Sequence, residues 1–314
     1  MSVAGIPIEF IFFALTLLGV ALFHNQTLYV ALTGMVVIAA YKLGFTDFSL
    51  LKHLGHEWVV LTNLLGLLLG FALLADHFEK SEVPAKLPDY LPDDWKGGFV
   101  MLCLVFVMSA FLDNIAAAMI GGAMAHVLFK ARVHIGYLAA IVAASNAGGA
   151  GSVVGDTTTT MMWIAGVAPV QVLEAYVAAV PALLFFGVIA AKQQHAYQPI
   201  SRDAPVDVHI DWARLGVVAF ILAAAIFANV YFNLTNADVL GQYPVIGIAV
   251  MLAVVVSAPL RQPTWSLLPG AFKGSIFLLS LVMCASMMPV DKLPLASWAT
   301  TLGLGFVSAV FDNI

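Results

Sequence analysis

Ser109-Ala110-Phe111-Leu112-Asp113-Asn114-Ile115 recurs as Ser308-Ala309-Val310-Phe311-Asp312-Asn313-Ile314, with five of the seven positions identical. Each copy sets an Asp-Asn pair at the end of an apolar run. An acid at bilayer depth costs a few kcal/mol or more, so it marks a functional position by default. The structural alternative is an Asp that only caps the half-helix after it, a task Asp performs well. Recurrence at Asp312 tips the reading toward function. A repeated acidic motif in apolar sequence points to a membrane protein built from two related halves.

The rest of the chain fits that setting. Of 314 residues, 62% are hydrophobic and only 10% are charged, and the mean hydropathy is +0.98. A soluble domain is nearer half apolar and a quarter charged. The fold class expected is an all-α polytopic membrane protein. No basic patch suits nucleic acid, and the lipid bilayer is the expected surrounding. Cys103 and Cys284 both lie in apolar runs and read as small core residues. No basic segment precedes Ile6–Phe23, which reads as a first spanning helix and not as a cleaved signal.

Spanning helices need about 20 apolar residues. The candidates are Ile6–Phe23, Thr27–Phe45, Trp58–Ala75, Val170–Ala191, Trp212–Leu234, Tyr243–Pro259 and Pro269–Met288. Two regions depart from that template. Gly97–Lys130 is interrupted by Asp113-Asn114 and reads as a re-entrant hairpin with its tip there. His134–Ala168 carries Asn146-Ala147-Gly148-Gly149-Ala150-Gly151 and Gly155-Asp156 near its centre, and reads as a helix broken at Gly148–Gly155, since Gly weakens helices. Three crossings precede the polar loop Asp76–Lys96, and five separate the two Asp-Asn motifs. An odd count inverts the second copy relative to the first, as in secondary transporters with inverted repeats. On this count Lys80, Lys86, Lys96, Lys130, Arg132, Lys192, Arg202, Arg214, Arg261 and Lys273 share one side, against Lys42, Lys52 and Lys292 on the other. The positive-inside rule makes the richer side cytoplasmic and puts the N-terminus outside, across a cell inner membrane.

The expected divisions are therefore N-terminal helices over 1–75, a cytoplasmic loop over 76–96, a first repeat core over 97–191, a second cytoplasmic loop over 192–211, and an incomplete second repeat over 212–314. The first Asp-Asn motif is followed by Asp156. Nothing equivalent follows Asp312, because the sequence ends at Ile314. The reading expects a C-terminally truncated chain whose repeat, continued at the same offset, would run to about residue 390.

Asp113 and Asn114 head the candidate site, with Asp312 and Asn313 as their counterparts. Asp156 is the second acid, placed where a half-helix would begin. It is a helix cap on one reading and a cation ligand or proton carrier on the other, and the two roles are compatible. Thr157 and Thr158 lie nearest the break among four consecutive threonines. Ser145, Asn146, Gly148, Gly149 and Gly151 form the other half of the break. Small side chains let a backbone approach an ion, and carbonyls at a half-helix C-terminus suit a hard cation. Glu9, Glu57, Asp76 and Glu174 fall mostly near segment ends and read as interfacial.

The stretches Ser109–Gly122 (SAFLDNIAAAMIGG) and Ser145–Gly166 (SNAGGAGSVVGDTTTTMMWIAG) resemble the ion-transporter superfamily of citrate transporters, arsenite permeases and NhaD-type sodium/proton antiporters. The resemblance implies a homodimer, with hairpin tips and broken helices forming a site in each subunit and elevator-type movement of that site. Asp113, Asn114, Asn146, Asp156 and Thr157 occupy motif positions that the family uses at its site. One departure stands out: NhaD-type sequences usually continue the hairpin motif with Pro, where this chain has Ala116 after Ile115.

The function expected is secondary active transport, with no enzymatic activity and no cofactor. Sodium/proton antiport leads, with transported Na⁺ and H⁺ exchanging at the intramembrane acids. An ion-coupled carrier of citrate or a related organic anion is the alternative. It would use half-helix N-termini and Thr hydroxyls, but two aspartates repel a carboxylate unless bound sodium neutralises them. An intramembrane aspartyl protease would also pair two acids. Its Gly-x-Gly-Asp signature is broken here, where Val153-Val154-Gly155 precedes Asp156.

Overall fold

In the computed structural model, the described residues are 2–3, 6–86, 90–111, 114–153, 155–156, 158–159, 162, 167–200, 209–289 and 297–303. Apart from a two-residue antiparallel pairing of Ser2–Val3 with Ile6–Pro7, their regular structure is helical. The helices are α1 (Ile8–Leu22), α2 (Thr27–Phe45), α3 (Leu50–Glu79), α4 (Val83–Lys86), α5 (Trp95–Ser109), α6 (Asn114–Leu128) and α7 (Ile135–Ala150). They continue with α8 (Pro169–Leu173), α9 (Tyr176–Tyr197), α10 (Trp212–Thr235), α11 (Ala237–Gln242), α12 (Val245–Ser257) and α13 (Leu268–Ser286).

Five stretches are long and apolar enough to cross a membrane: Thr27–Phe45, Leu50–Glu79, Pro169–Tyr197, Trp212–Phe232 and Trp265–Ser286. This is an all-helical fold that suits a multi-pass membrane protein. Six of the seven expected spanning segments each coincide with one helix and Val170–Ala191 with α8 and α9 together, but two are shorter than the hydropathy suggested. Helix α1 has 15 residues and α12 has 13. Prolines set three of their four limits. Pro7 and Pro244 precede the two helices, and Pro259, which has no amide to donate, stands two residues past the end of α12. Helix α3 is longer than expected, at 30 residues. Its polar ends, including Lys52, Glu57, Asp76 and His77, are adequate helix formers, so a drop in hydropathy does not end the helix.

Three caps show how the sequence starts its helices. Asp94 accepts from the Lys96 amide at the start of α5. His134 accepts from the Gly136 amide at the start of α7. Asp211 accepts from the Ala213 and Arg214 amides at the start of α10. Each satisfies backbone donors that the first helical turn leaves open.

Contacts divide the chain into two compact units. The first comprises Met1–Leu65 with Pro269–Ile314. In it α1 packs on α2, with Gly34 so close to Thr16 that a Cβ would overlap the threonine side chain. Ile38, Met283, Cys284 and Met287 are buried together. Lys42 donates from Nζ to the Met287 carbonyl (2.6 Å) and sits over the Phe48 ring. His53 and Ser286 are hydrogen-bonded at 2.9 Å. Glu9, near the start of α1, is buried here at 6% exposure.

The second unit is Gly66–Leu268. At its centre α5, α7 and α9 pack against one another, with α6 on α5 and α7. Tyr137 of α7 is fully buried and donates to the Gly98 carbonyl of α5 at 2.6 Å. Gln194 of α9, also fully buried, accepts from the His134 amide (2.7 Å) and donates to the Arg132 carbonyl (3.2 Å), which ties the α6–α7 turn to α9. Helix α10 packs on α12, and Gly66 of α3 meets the backbone of Gly247 in α12.

Candidate functional site

Two interruptions meet in the second unit. Helices α5 and α6 have 15 residues each, about 22 Å of rise, and the chain turns at Ala110 and Phe111 directly after α5. Helix α7 stops at Ala150, and the chain continues without regular helix through Gly151–Val153 and Gly155–Asp156.

Glycines let the two breaks touch. A Cβ at Gly148 would overlap the carbonyl and Cα of Phe106 in α5. A Cβ at Gly155 would overlap the Ser109 carbonyl and crowd Ala110. At Gly149 an added Cβ would lie 3.2 Å from the Gly155 oxygen and 3.3 Å from the Asp156 Cβ. Larger side chains at these positions would hold the hairpin turn away from the broken helix.

Polar side chains then bridge the contact. Asn114, the first residue of α6, donates from Nδ2 to Oδ1 of Asn146 in α7 at 2.9 Å. Ser109 donates to the Ser145 carbonyl, and Ser152 donates to the Ala110 carbonyl. The Ser145 hydroxyl turns back to Val142 at 2.8 Å. Thr159 donates to the carbonyls of Ser152 and Asp156. Tyr176, at the start of α9, donates to the Gly148 carbonyl at 2.8 Å.

The electrostatics follow from helix direction. The C-terminal ends of α5 and α7 converge with the N-terminal end of α6. Helix C-termini carry partial negative charge and N-termini partial positive charge. Among the described residues, two carbonyl-bearing ends, one amide-bearing end and the hydroxyl donors meet here.

Of the candidate residues read from sequence, Asn114, Ser145, Asn146, Gly148, Gly149, Gly151 and Asp156 fall in this one region. Ser145 is buried, Asp156 is half-buried, and Thr158 is exposed. Asp113, Thr157, Asp312 and Asn313 lie outside the described residues. Sequence reasoning passed over four hydroxyls that hold the site: Ser109, Ser152, Thr159 and Tyr176. Ser109 carried a signal, since Ser308 repeats it in the second motif. Tyr176 carried none, because its role depends on where α9 begins in space.

A second polar region lies at the ends of α3, α10 and α12. Asp76 and Lys80 form an ion pair at 2.8 Å, and both bond to Thr264. Asp211 pairs with Arg261 at 2.8 Å and with Arg214 at 3.5 Å. Arg214 also bonds to Nδ1 of the fully buried His77 at 3.2 Å. The hydrogen bond from the Arg261 guanidinium holds the Asp211 carboxyl below the usual carboxylate range. Next to this cluster a cavity of about 750 Å³ is lined by Asp76, Glu79, Lys80, Glu82 and, from α6, Gly122, Ala123, His126 and Val127.

Comparison with family models, curated proteins and solved structures finds no match for the chain. The resemblance to the ion-transporter superfamily rests on the two motif stretches alone.

Proposed function

We propose that this protein is a secondary active transporter of the inner membrane, and that it exchanges sodium for protons at the meeting point of the hairpin turn and the broken helix. The observation that carries the reading is the Asn114–Asn146 hydrogen bond, which joins two interrupted elements at positions where the motifs set Asp113 and Asp156 close by in sequence. Irregular backbone at membrane depth is tolerated where it is buried in protein or lines a cavity. Here glycines and hydroxyls provide that burial. Helices α5 and α6, at 15 residues each and close together in sequence, pack against one another, which supports a re-entrant hairpin.

The site favours a cation over a carboxylate. Two helix C-termini point at it, and no Lys or Arg stands between Gly97 and Phe129 or between Val133 and Ala191. An anion carrier would rely on the amide-bearing start of α6, set against two carbonyl-bearing ends and without Lys or Arg from these stretches. Two acids can hold one sodium or two protons in alternation, with no cofactor. In this proposal the N-terminus is outside, the first hairpin opens to the cytoplasm, the second motif enters from the opposite face, and the protein is a homodimer like the family it resembles.

The test is transport in proteoliposomes. Sodium-dependent dissipation of a pH gradient is expected, lost in both Asp113→Asn and Asp156→Asn. Citrate uptake with no sodium-driven proton flux would overturn antiport and favour the organic-anion carrier.

A further inference from the structure

We propose that Tyr176 is the positioning residue that fixes the interrupted end of α7 against the hairpin. The proposal rests on reading that region as the transport site. In a continuous helix the amide of Ser152 would close the turn on the Gly148 carbonyl. Here that amide goes to the Gly149 carbonyl instead, at 2.9 Å. The Tyr176 hydroxyl supplies Gly148 with a donor from another helix, at 2.8 Å.

The ring of the same residue acts on the other side of the break. It lies over Gly151, where an added Cβ would come within 2.6 Å of three ring carbons. It also leans on Phe106, with ring centroids 5.6 Å apart. The backbone of Phe106 is in turn the surface on which Gly148 rests. One side chain therefore connects the start of α9, both ends of the Gly148–Gly151 segment, and the hairpin helix α5. The hydroxyl sets where the Gly148 carbonyl, in the last turn of α7, points, and the ring sets how far the unwound chain can swing.

Tyr176→Phe separates these two actions, because it keeps the ring and removes the donor. A residue that only fills space would tolerate it. A positioning residue would not: the apparent sodium constant is expected to rise about fivefold, the worth of one neutral hydrogen bond, with the maximal rate little changed. Amide hydrogen exchange over residues 145–156 is expected to quicken without substrate present. Gly151→Ala, which pushes the ring from the opposite side, should raise the same constant, and the double variant should fall short of the product of the two single effects. Unchanged exchange in Tyr176→Phe, or independent effects in the double variant, would overturn the proposal. The exchange measurement needs no transport. Absence of sodium-driven flux in the unaltered protein would therefore refute antiport, while exchange still decides the role of Tyr176.

Discussion

The α7 break and the Asp76–Asp211 cluster satisfy polar groups in opposite ways. At the break, backbone carbonyls exposed by interrupted helices are met by neutral hydroxyls from Ser109, Ser152, Thr159 and Tyr176. At the cluster, full charges pair: Asp76 with Lys80, and Asp211 with Arg214 and Arg261. Solvation accounts for the difference. The Lys80 and Arg261 side chains are 44% and 43% exposed, so water shares the cost of their charge. Around Ser109 and Ser145, at 0% and 1% exposure, an unpaired charge would bear a desolvation cost of several kcal/mol. Hydroxyls shape the backbone there without adding charge.

The comparison breaks most readily at its tightest glycine. Gly155→Ala sets a Cβ against the backbone of Ser109 and Ala110, which has no side chain to move aside. Overpacking of this kind costs about 1–3 kcal/mol, and a lowered thermal midpoint in detergent is expected. An unchanged midpoint would mean that the two breaks are not pressed together.

A smaller, pH-dependent effect is expected at Asp211. Its carboxyl titrates below the ordinary range because of Arg261. A carboxylate with a depressed folded value contributes stability above its unfolded value and loses it as pH falls through the folded one. Asp211→Asn keeps an acceptor for the α10 cap but removes the charge. Acid should therefore destabilise the unaltered protein more than the variant, as read by melting at a series of pH values. Parallel curves would exclude a role for the ion pair.

The smallest effect belongs to Lys80. Exposed pairs contribute about 0.2–1 kcal/mol, so Lys80→Met should change the thermal midpoint little, and less as salt rises. A large loss would show that the cluster is drier than its exposure indicates.

Much of this was legible along the chain. The interruption at Asp113-Asn114 and the glycine-rich break after Asn146 both appear as helix limits, at Ser109/Asn114 and at Ala150. Glycine and an acid within an apolar run depart from apolar periodicity strongly enough to be read without neighbours. Helix lengths were less legible. Hydropathy overestimated α12 because it does not register Pro259, and it underestimated α3 because polar residues such as Glu57 continue a helix beyond the apolar core. Thr157 and Thr158 drew notice as hydroxyls near the break, yet of the two described threonines Thr158 is exposed and Thr159 turns inward to the Ser152 and Asp156 carbonyls. Four consecutive threonines look alike in sequence, and only local backbone direction distinguishes them.

By itself the sequence determined the helical, membrane-suited class, the positions of both interruptions, and the residue types that populate them. These follow from local quantities: transfer free energy summed over about 20 residues, helix propensity, and the repetition of a motif. The tertiary structure decided that the interruptions meet, that Asn114 reaches Asn146 across 32 positions of chain, and that Tyr176 completes the end of α7. Those outcomes depend on which surfaces pack, and packing is set by glycine-to-backbone approaches between α5 and α7 that no single segment encodes.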